Sequence, residues 1–223
     1  MNKKEIIKRT ESFVKDKLEG EETGHDFWHI IRVRNTALKI GKEEKVDLFI
    51  IELASLLHDI ADHKFYNGDR TVGPKIAREF LAGLNIDISI IDHVINIINN
   101  MSFHKSLDGK VGFTSKEMRV IQDADKLDAM GAIGIARAFA YGGLRQREIH
   151  NPNIKVVNYK NSKDYNDNQI GKTTGTTINH FYEKLLKLKS LMNTKTGKKM
   201  ANERHKFLEL YLKTFYAEWD GKK

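Results

Sequence analysis

The sequence predicts an all-α protein, a helical bundle with a long loop inserted before its C-terminal helices. Only 2 of the 223 residues are proline, and apolar residues recur at helical spacing over most of the chain. The strict alternation of apolar and polar residues that indicates a half-buried strand is nearly missing. A chain of this length needs no cross-links to stabilise its core. No internal repeat or separable second domain is visible, so we predict one domain over residues 1–223.

Each helix is predicted from its apolar spacing and from the glycines and capping residues at its ends. The segment over about 47–60 is apolar on all sides and should be a central, buried helix. Ser115 or Thr114 should cap a later helix, and the polar stretch 142–177 should be a long loop, either a lid or a flexible insertion. The other predicted helices cover about 2–18, 30–41, 72–84, 88–101, 115–127, 129–141, 181–192 and 200–219.

Composition limits the class of function. The absence of cysteine excludes disulfides and thiolate metal sites. Lys and Arg number 38 against 30 Asp and Glu, and the net charge of +8 suits anionic partners, although a solvated lysine-rich surface would give the same balance. No nucleic-acid motif accompanies this charge, so we do not expect nucleic acid as the partner. No secretory signal or membrane-length apolar run is visible, so we expect a cytoplasmic protein without a membrane partner.

Three segments that are distant in the chain offer side chains of the metal-ligand type. His29 lies near the start of the second helix, His58 and Asp59 end the buried helix, and a later helix carries Asp123 and Asp125. A cation would remove the cost of burying Asp59 as an unpaired charge. Two imidazoles and two carboxylates suit Mn, Fe, Zn, Ni or Mg. Spacing alone does not decide which aspartate is a ligand, and each histidine could instead be a core residue.

The order of these side chains, H…HD…D, resembles the signature of the HD superfamily of metal-dependent phosphohydrolases. Segments 25–29, 57–62 and 122–134 are similar to the bacterial YpgQ/YedJ-like subgroup, and so are the closing segments 178–184 and 215–219. The resemblance implies the HD helical fold and one divalent metal ion, with Mn favoured over Mg, Fe, Ni, Co or Zn. It implies the metal ligands His29, His58, Asp59 and Asp125, with Asp123 as an orienting carboxylate.

The resemblance also suggests roles for side chains around the ion. Asp62 and His63 would orient or deprotonate the attacking water. Lys64, in the same loop, would balance the negative charge of the phosphate. Asp62 could instead cap a helix end, and Lys64 could be an ordinary loop charge. Substrate contacts are expected from Arg32, Lys126, Arg70, His93 and His180.

Several of these substrate residues have a plain structural alternative. Arg32 could pair with a nearby acid, Arg70 could be an ordinary loop charge, His93 could be a buried structural histidine, and His180 could brace the pocket. A second metal ion would need another histidine where Met101 stands, so one metal is expected.

The subgroup resemblance suggests attack at the α-phosphorus of a nucleoside triphosphate, which releases a monophosphate and pyrophosphate. The alternative enzymes are a phosphatase of nucleoside 5'-monophosphates and a phosphodiesterase. From another class, the chain could be a non-catalytic module that binds metal or nucleic acid. The expected partner is a small phosphorylated substrate, most simply a nucleotide, and a homodimer is compatible with the sequence.

Overall fold

The computed structural model describes residues 1–20, 26–61, 69, 71–101, 112–158 and 175–223. These residues form helices, turns and loops without a β-strand, which confirms the predicted all-α class. The helices are α1 Lys3–Lys17, α2 Phe27–Glu44, α3 Leu48–Leu57, α4 Val72–Ala82, α5 Ile88–Asn100, α6 Lys116–Asp128, α7 Gly131–Leu144, α8 Thr177–Glu183, a 3-10 helix Leu185–Leu191 and α9 Lys195–Trp219.

The chain divides into two compact units, Met1–Ala124 and Asp125–Lys223. The boundary falls inside α6, which continues across it as one unbroken helix. The single domain over the whole chain therefore stays a prediction.

Helix α3 is the centre of the first unit, as its composition predicts. It packs against α1, α2 and α5, and eight of its ten residues are buried. One of its two partly exposed residues, Glu52, accepts hydrogen bonds from Arg34 of α2, and Arg34 also pairs with Glu11 of α1 at 3.0 Å. This charged group links α1, α2 and α3.

The predicted helices of the first unit lie within two residues of their observed bounds, except for α2 and α3. The hydroxyl of Ser115 accepts a hydrogen bond from the Met118 amide at 3.0 Å, which selects Ser115 over Thr114 as the cap of α6. Helix α2 covers Phe27–Glu44 rather than about 30–41. Helix α3 ends at Leu57 rather than near residue 60. His58 and Asp59 consequently lie in the turn that follows the helix.

The second unit has a core of aromatic rings between α7, α8 and α9. The ring of Phe181 is fully buried, with its centroid 6.0 Å from that of Phe139 and 5.7 Å from that of Tyr211. Gly142 lets α7 approach α8, because a Cβ atom at this position would collide with the hydroxyl of Thr177. The small residues of α7 thus serve the close packing that their composition predicts.

Three predictions for the second unit were wrong in detail. The helix predicted over about 200–219 begins earlier, at Lys195. The helix predicted over 181–192 is divided, because Lys184 leaves helical geometry at φ −136° and the 3-10 helix follows. The loop predicted from residue 142 begins later, since α7 continues to Leu144. Residues 145–158 are non-helical, as predicted. Residues 159–174 lie outside the described residues, so the predicted lid is untested.

Candidate metal centre

The first ligand candidate, His29, is fixed one turn into α2. The carboxylate of Asp26 caps this helix and accepts a hydrogen bond from the His29 amide at 2.8 Å. The His29 side chain is fully buried. A buried imidazole at the start of a capped helix has little freedom to change its direction.

The second candidate, His58, is oriented by the backbone of its own helix. Its ring nitrogen Nδ1 lies 2.8 Å from the carbonyl oxygen of Ser55. A carbonyl can only accept a hydrogen bond, so Nδ1 carries a proton, and in the neutral ring Nε2 is the nitrogen with the lone pair. This is the arrangement in which a histidine is ready to bind a metal ion.

The third candidate, Asp125, lies on α6. Its carboxylate comes together with the two imidazoles: one ligand atom from each of His29, His58 and Asp125 lies within 4.8 Å of the other two. The centroids of the two imidazole rings are 5.5 Å apart. Two nitrogen donors and one carboxylate oxygen suit a divalent cation such as Mn, Fe, Zn or Ni, and leave coordination positions for water or phosphate oxygens. The donor set therefore fits a metal ion.

Two further aspartates lie beside these ligands. Asp59 directly follows His58 in the turn after α3 and is half-buried, and Asp123 precedes Asp125 by two residues on α6 and is fully buried. Of the three aspartates on α6, Asp125 is the one that joins the cluster. The role of Asp59 as a ligand and that of Asp123 as an orienting group stay predictions.

The predicted catalytic loop falls outside the described residues. This applies to Asp62, His63, Lys64 and Arg70.

Three of the residues predicted to contact the substrate, Arg32, Lys126 and His93, lie on helices that the structure describes. Arg32 is half-buried on α2, three residues after His29. The ammonium group of Lys126 donates a hydrogen bond to the Leu191 carbonyl at 3.0 Å. His93 Nε2 lies 3.5 Å from the carboxylate of Glu117, and its ring packs edge-on against Phe113. The contacts of Lys126 and His93 stabilise the fold, and a role of the three residues in substrate binding stays a prediction.

His180, another residue predicted to contact the substrate, lies on α8 with its ring nitrogen Nδ1 buried. Burial, together with the positive charges of Lys184 and Arg147, lowers the pKa of His180 to about 3. The imidazole is therefore neutral near pH 7. It can exchange hydrogen bonds with a phosphate but cannot contribute a positive charge.

The lowered pKa of His180 predicts a pH-dependent stability. In the unfolded chain this histidine has a pKa near 6.5, so below that pH the unfolded state binds more protons than the folded state. We expect the free energy of unfolding to fall as the pH drops from about 6.5 towards 3. A His180→Gln variant should lose less stability over this range in urea titrations at pH 7 and pH 5. Equal losses in the variant and the wild type would contradict the prediction.

Two groups that hold the ligands were not predicted from the sequence. Asp26 carries a recognisable signal, because an aspartate directly before a helical segment is a preferred cap. The carbonyl of Ser55 carries no signal, since every residue has one and only the turn after α3 brings it to the His58 ring.

Fold and site together define the class: an all-helical protein, over its described residues, with a histidine and aspartate cluster of the metal-binding type. No helix in these residues is both long and apolar enough to cross a membrane. The model of the HD domain family matches residues 27–130, a range that contains all three members of the cluster.

Comparison with known proteins extends the match to the whole chain. YpgQ of Bacillus subtilis is 35% identical over 212 residues, which cover 94% of this chain and 92% of YpgQ. A crystal structure of an HD-superfamily hydrolase from Bacillus thuringiensis is 40% identical, with a TM-score of 0.76 and coverage of 98% and 99% of the two chains. A protein from Lactobacillus plantarum is 34% identical, with a TM-score of 0.82 and coverage of 96% and 97%.

The chain belongs to the HD superfamily of hydrolases. HD domains bind divalent metal ions, and His29, His58 and Asp125 could form such a site here.

Proposed function

We propose that this protein is a metal-dependent phosphohydrolase whose substrate is a nucleoside triphosphate, cleaved to a monophosphate and pyrophosphate. The observation that carries the proposal is the convergence of His29, His58 and Asp125, with ligand atoms within 4.8 Å of one another. We propose Asp59 as a fourth ligand because it adjoins His58 and lies in the same turn. Manganese is the ion that we favour, on the sequence resemblance to the subgroup.

A divalent cation held by these residues would polarise a phosphoryl oxygen and lower the pKa of a bound water. The protein must then hold the substrate in line and balance its negative charge, because phosphoryl transfer depends mainly on positioning and electrostatics. We assign charge balance to Arg32, which is one helical turn from His29, and to Lys126, which follows Asp125 directly.

The loop that follows His58 would supply the remaining groups. In the proposal Asp62 and His63 orient or deprotonate the attacking water, and Lys64 and Arg70 add positive charge near the phosphates. His93 and His180 would contact the substrate as hydrogen-bonding groups. These assignments rest on the sequence resemblance.

A nucleotide as substrate is supported by one relative. A crystal structure of B. subtilis YpgQ in complex with ADP is 33% identical to this chain, with a TM-score of 0.73 and coverage of 95% and 97% of the two chains. An excess of basic residues, 38 against 30 acidic ones, also favours a polyphosphate ligand.

Product analysis tests the proposed reaction. The purified protein is incubated with ATP, dGTP and AMP in the presence of Mn²⁺, and the products are separated by ion-exchange chromatography. We expect equimolar pyrophosphate and monophosphate from the triphosphates and no product from AMP. A parallel incubation with excess chelator should give no product.

Other product patterns would contradict the proposal in distinct ways. Orthophosphate as the sole inorganic product would indicate a phosphatase. No turnover of any nucleotide, together with a salt-sensitive complex with DNA or RNA, would indicate a non-catalytic binding module.

A further inference from the structure

The last turn of α6, which carries Asp125, is bonded to two other elements of the second unit. Arg204 of α9 donates a hydrogen bond from Nη1 to the carbonyl of Leu127. Lys126 of α6 donates to the carbonyl of Leu191, the last residue of the 3-10 helix. The Leu127 carbonyl also accepts a hydrogen bond from the Met130 amide at 3.0 Å, so Arg204 adds a second donor to one of the final carbonyls of the helix.

Asp128, the last residue of α6, is buried beside the guanidinium group of Arg137. Its carboxylate accepts a hydrogen bond from Arg137 Nη1 at 2.9 Å, and only 5% of its side chain is exposed. Burial lowers the pKa of the Arg204 guanidinium, and the negative charge of Asp128 opposes that shift. A buried carboxylate paired with an arginine strongly resists displacement, because removing the partner would leave a charge buried without compensation.

Gly131 lets the arginine reach this position. It adopts φ +69°, a conformation that side-chain-bearing residues rarely adopt, and it turns the chain from α6 into α7. A Cβ atom at Gly131 would lie 3.2 Å from Cγ of Arg204, so the aliphatic stem of the arginine packs on the bare glycine. The turn, the arginine and the end of α6 therefore form one packed structure.

We infer that Asp128, Arg137 and Arg204 are positioning residues that fix the last turn of α6 and thereby orient Asp125 for the metal ion. Asp125 lies three residues before Asp128, so a shift or rotation of this turn would move its carboxylate away from the two imidazoles. The inference rests on the proposed metal site but not on the identity of the substrate. Groups that orient metal ligands typically contribute ten- to a hundredfold to affinity.

Two substitutions that preserve net charge test the inference. Arg137→Lys loses the planar guanidinium that meets Asp128, and Arg204→Lys is too short to make the same bond to Leu127. We expect each variant to bind Mn²⁺ about tenfold more weakly than the wild type in calorimetric titrations. With Co²⁺ as the probe, the visible absorption bands should shift, because the coordination geometry of Asp125 changes. An Asp128→Asn variant should weaken binding further, but it also removes a negative charge.

The matched control is Glu183→Gln. Glu183 is a buried carboxylate on α8 whose Oε1 accepts a hydrogen bond from the Val157 amide at 3.1 Å, a contact that glutamine can keep. We expect this variant to bind Mn²⁺ as the wild type does. Thermal melts of all variants without metal separate a loss of metal affinity from a loss of folded protein.

The possible outcomes separate the inference from the proposed function. Wild-type affinity and unchanged Co²⁺ spectra in both lysine variants, with the wild type binding metal, would overturn the positioning role alone. Weaker binding in both lysine variants, with the control unchanged and the variants folded at the assay temperature, would support it. A wild type that binds no divalent cation would overturn the metal site and the inference with it.

Discussion

Replacing His58 by glutamine, or Asp125 by asparagine, is expected to weaken divalent-metal binding by at least about a hundredfold and to remove the proposed hydrolysis of nucleotides. The estimate follows from the ten- to hundredfold cost of losing a group that only orients a ligand, because losing the ligand itself should cost more. Each substitution removes one of the three donors that lie within 4.8 Å of one another. Titration calorimetry with Mn²⁺ and elemental analysis of the purified variants measure the effect.

Two matched substitutions serve as controls for this experiment. His205→Gln changes a buried histidine of α9 whose Nε2 lies 3.4 Å from Glu209. Asp92→Asn changes an exposed aspartate of α5 that pairs with Arg78. Both controls should bind metal as the wild type does. Normal metal binding in His58→Gln and Asp125→Asn would show that these side chains are not ligands.

Replacing Phe181 by alanine is expected to destabilise the protein by about 3–5 kcal/mol. The ring is fully buried and stacks on Tyr211 with an interplanar angle of 15°. Its removal loses the transfer free energy of the ring and leaves a cavity in a densely packed core. Equilibrium unfolding in urea, followed by circular dichroism, measures the change in the free energy of unfolding.

The control for the Phe181 substitution is Phe207→Ala on α9, where 46% of the side chain is exposed. A surface substitution of this kind should change stability by less than about 0.5 kcal/mol. A loss below about 1 kcal/mol for Phe181→Ala would mean that the core between α7, α8 and α9 closes around the missing ring.

The helices that were predicted well are those whose composition alone indicates whether they are buried. Helix α3 is apolar on every side, so its burial could be predicted without its neighbours. Its end at Leu57 could not, because the apolar pattern does not stop there. Apolar Ile60 continues the pattern and is buried although it lies outside the helix.

The sequence contains a signal for the division of the helix predicted over 181–192, although it was interpreted as one α-helix. Leu185, Leu188 and Leu191 are spaced by exactly three residues, the period of a 3-10 helix, which has 3.0 residues per turn. The same spacing also fits an α-helix over a single turn, so short leucine patterns of this kind remain ambiguous without the geometry of Lys184.

The metal-ligand candidates could be predicted from the sequence, whereas the residues that hold α6 in place could not. His29, His58 and Asp125 follow from an ordered motif, and the structure brings them together. Arg137 and Arg204, which hold the end of α6, carry no such motif. An arginine that donates to a backbone carbonyl looks in the sequence like any surface cation, and only the packing of α7 and α9 distinguishes it.

The three clustered side chains are separated by 29 and 67 positions along the polypeptide. No short peptide from this chain can present the full set of donors, so ion capture must await the tertiary structure. During synthesis the ribosome has to pass residue 125, more than half of the 223 codons, before the last donor exists. With the proposed metal site, a newly made chain would therefore acquire its ion late, after the whole first unit has been translated.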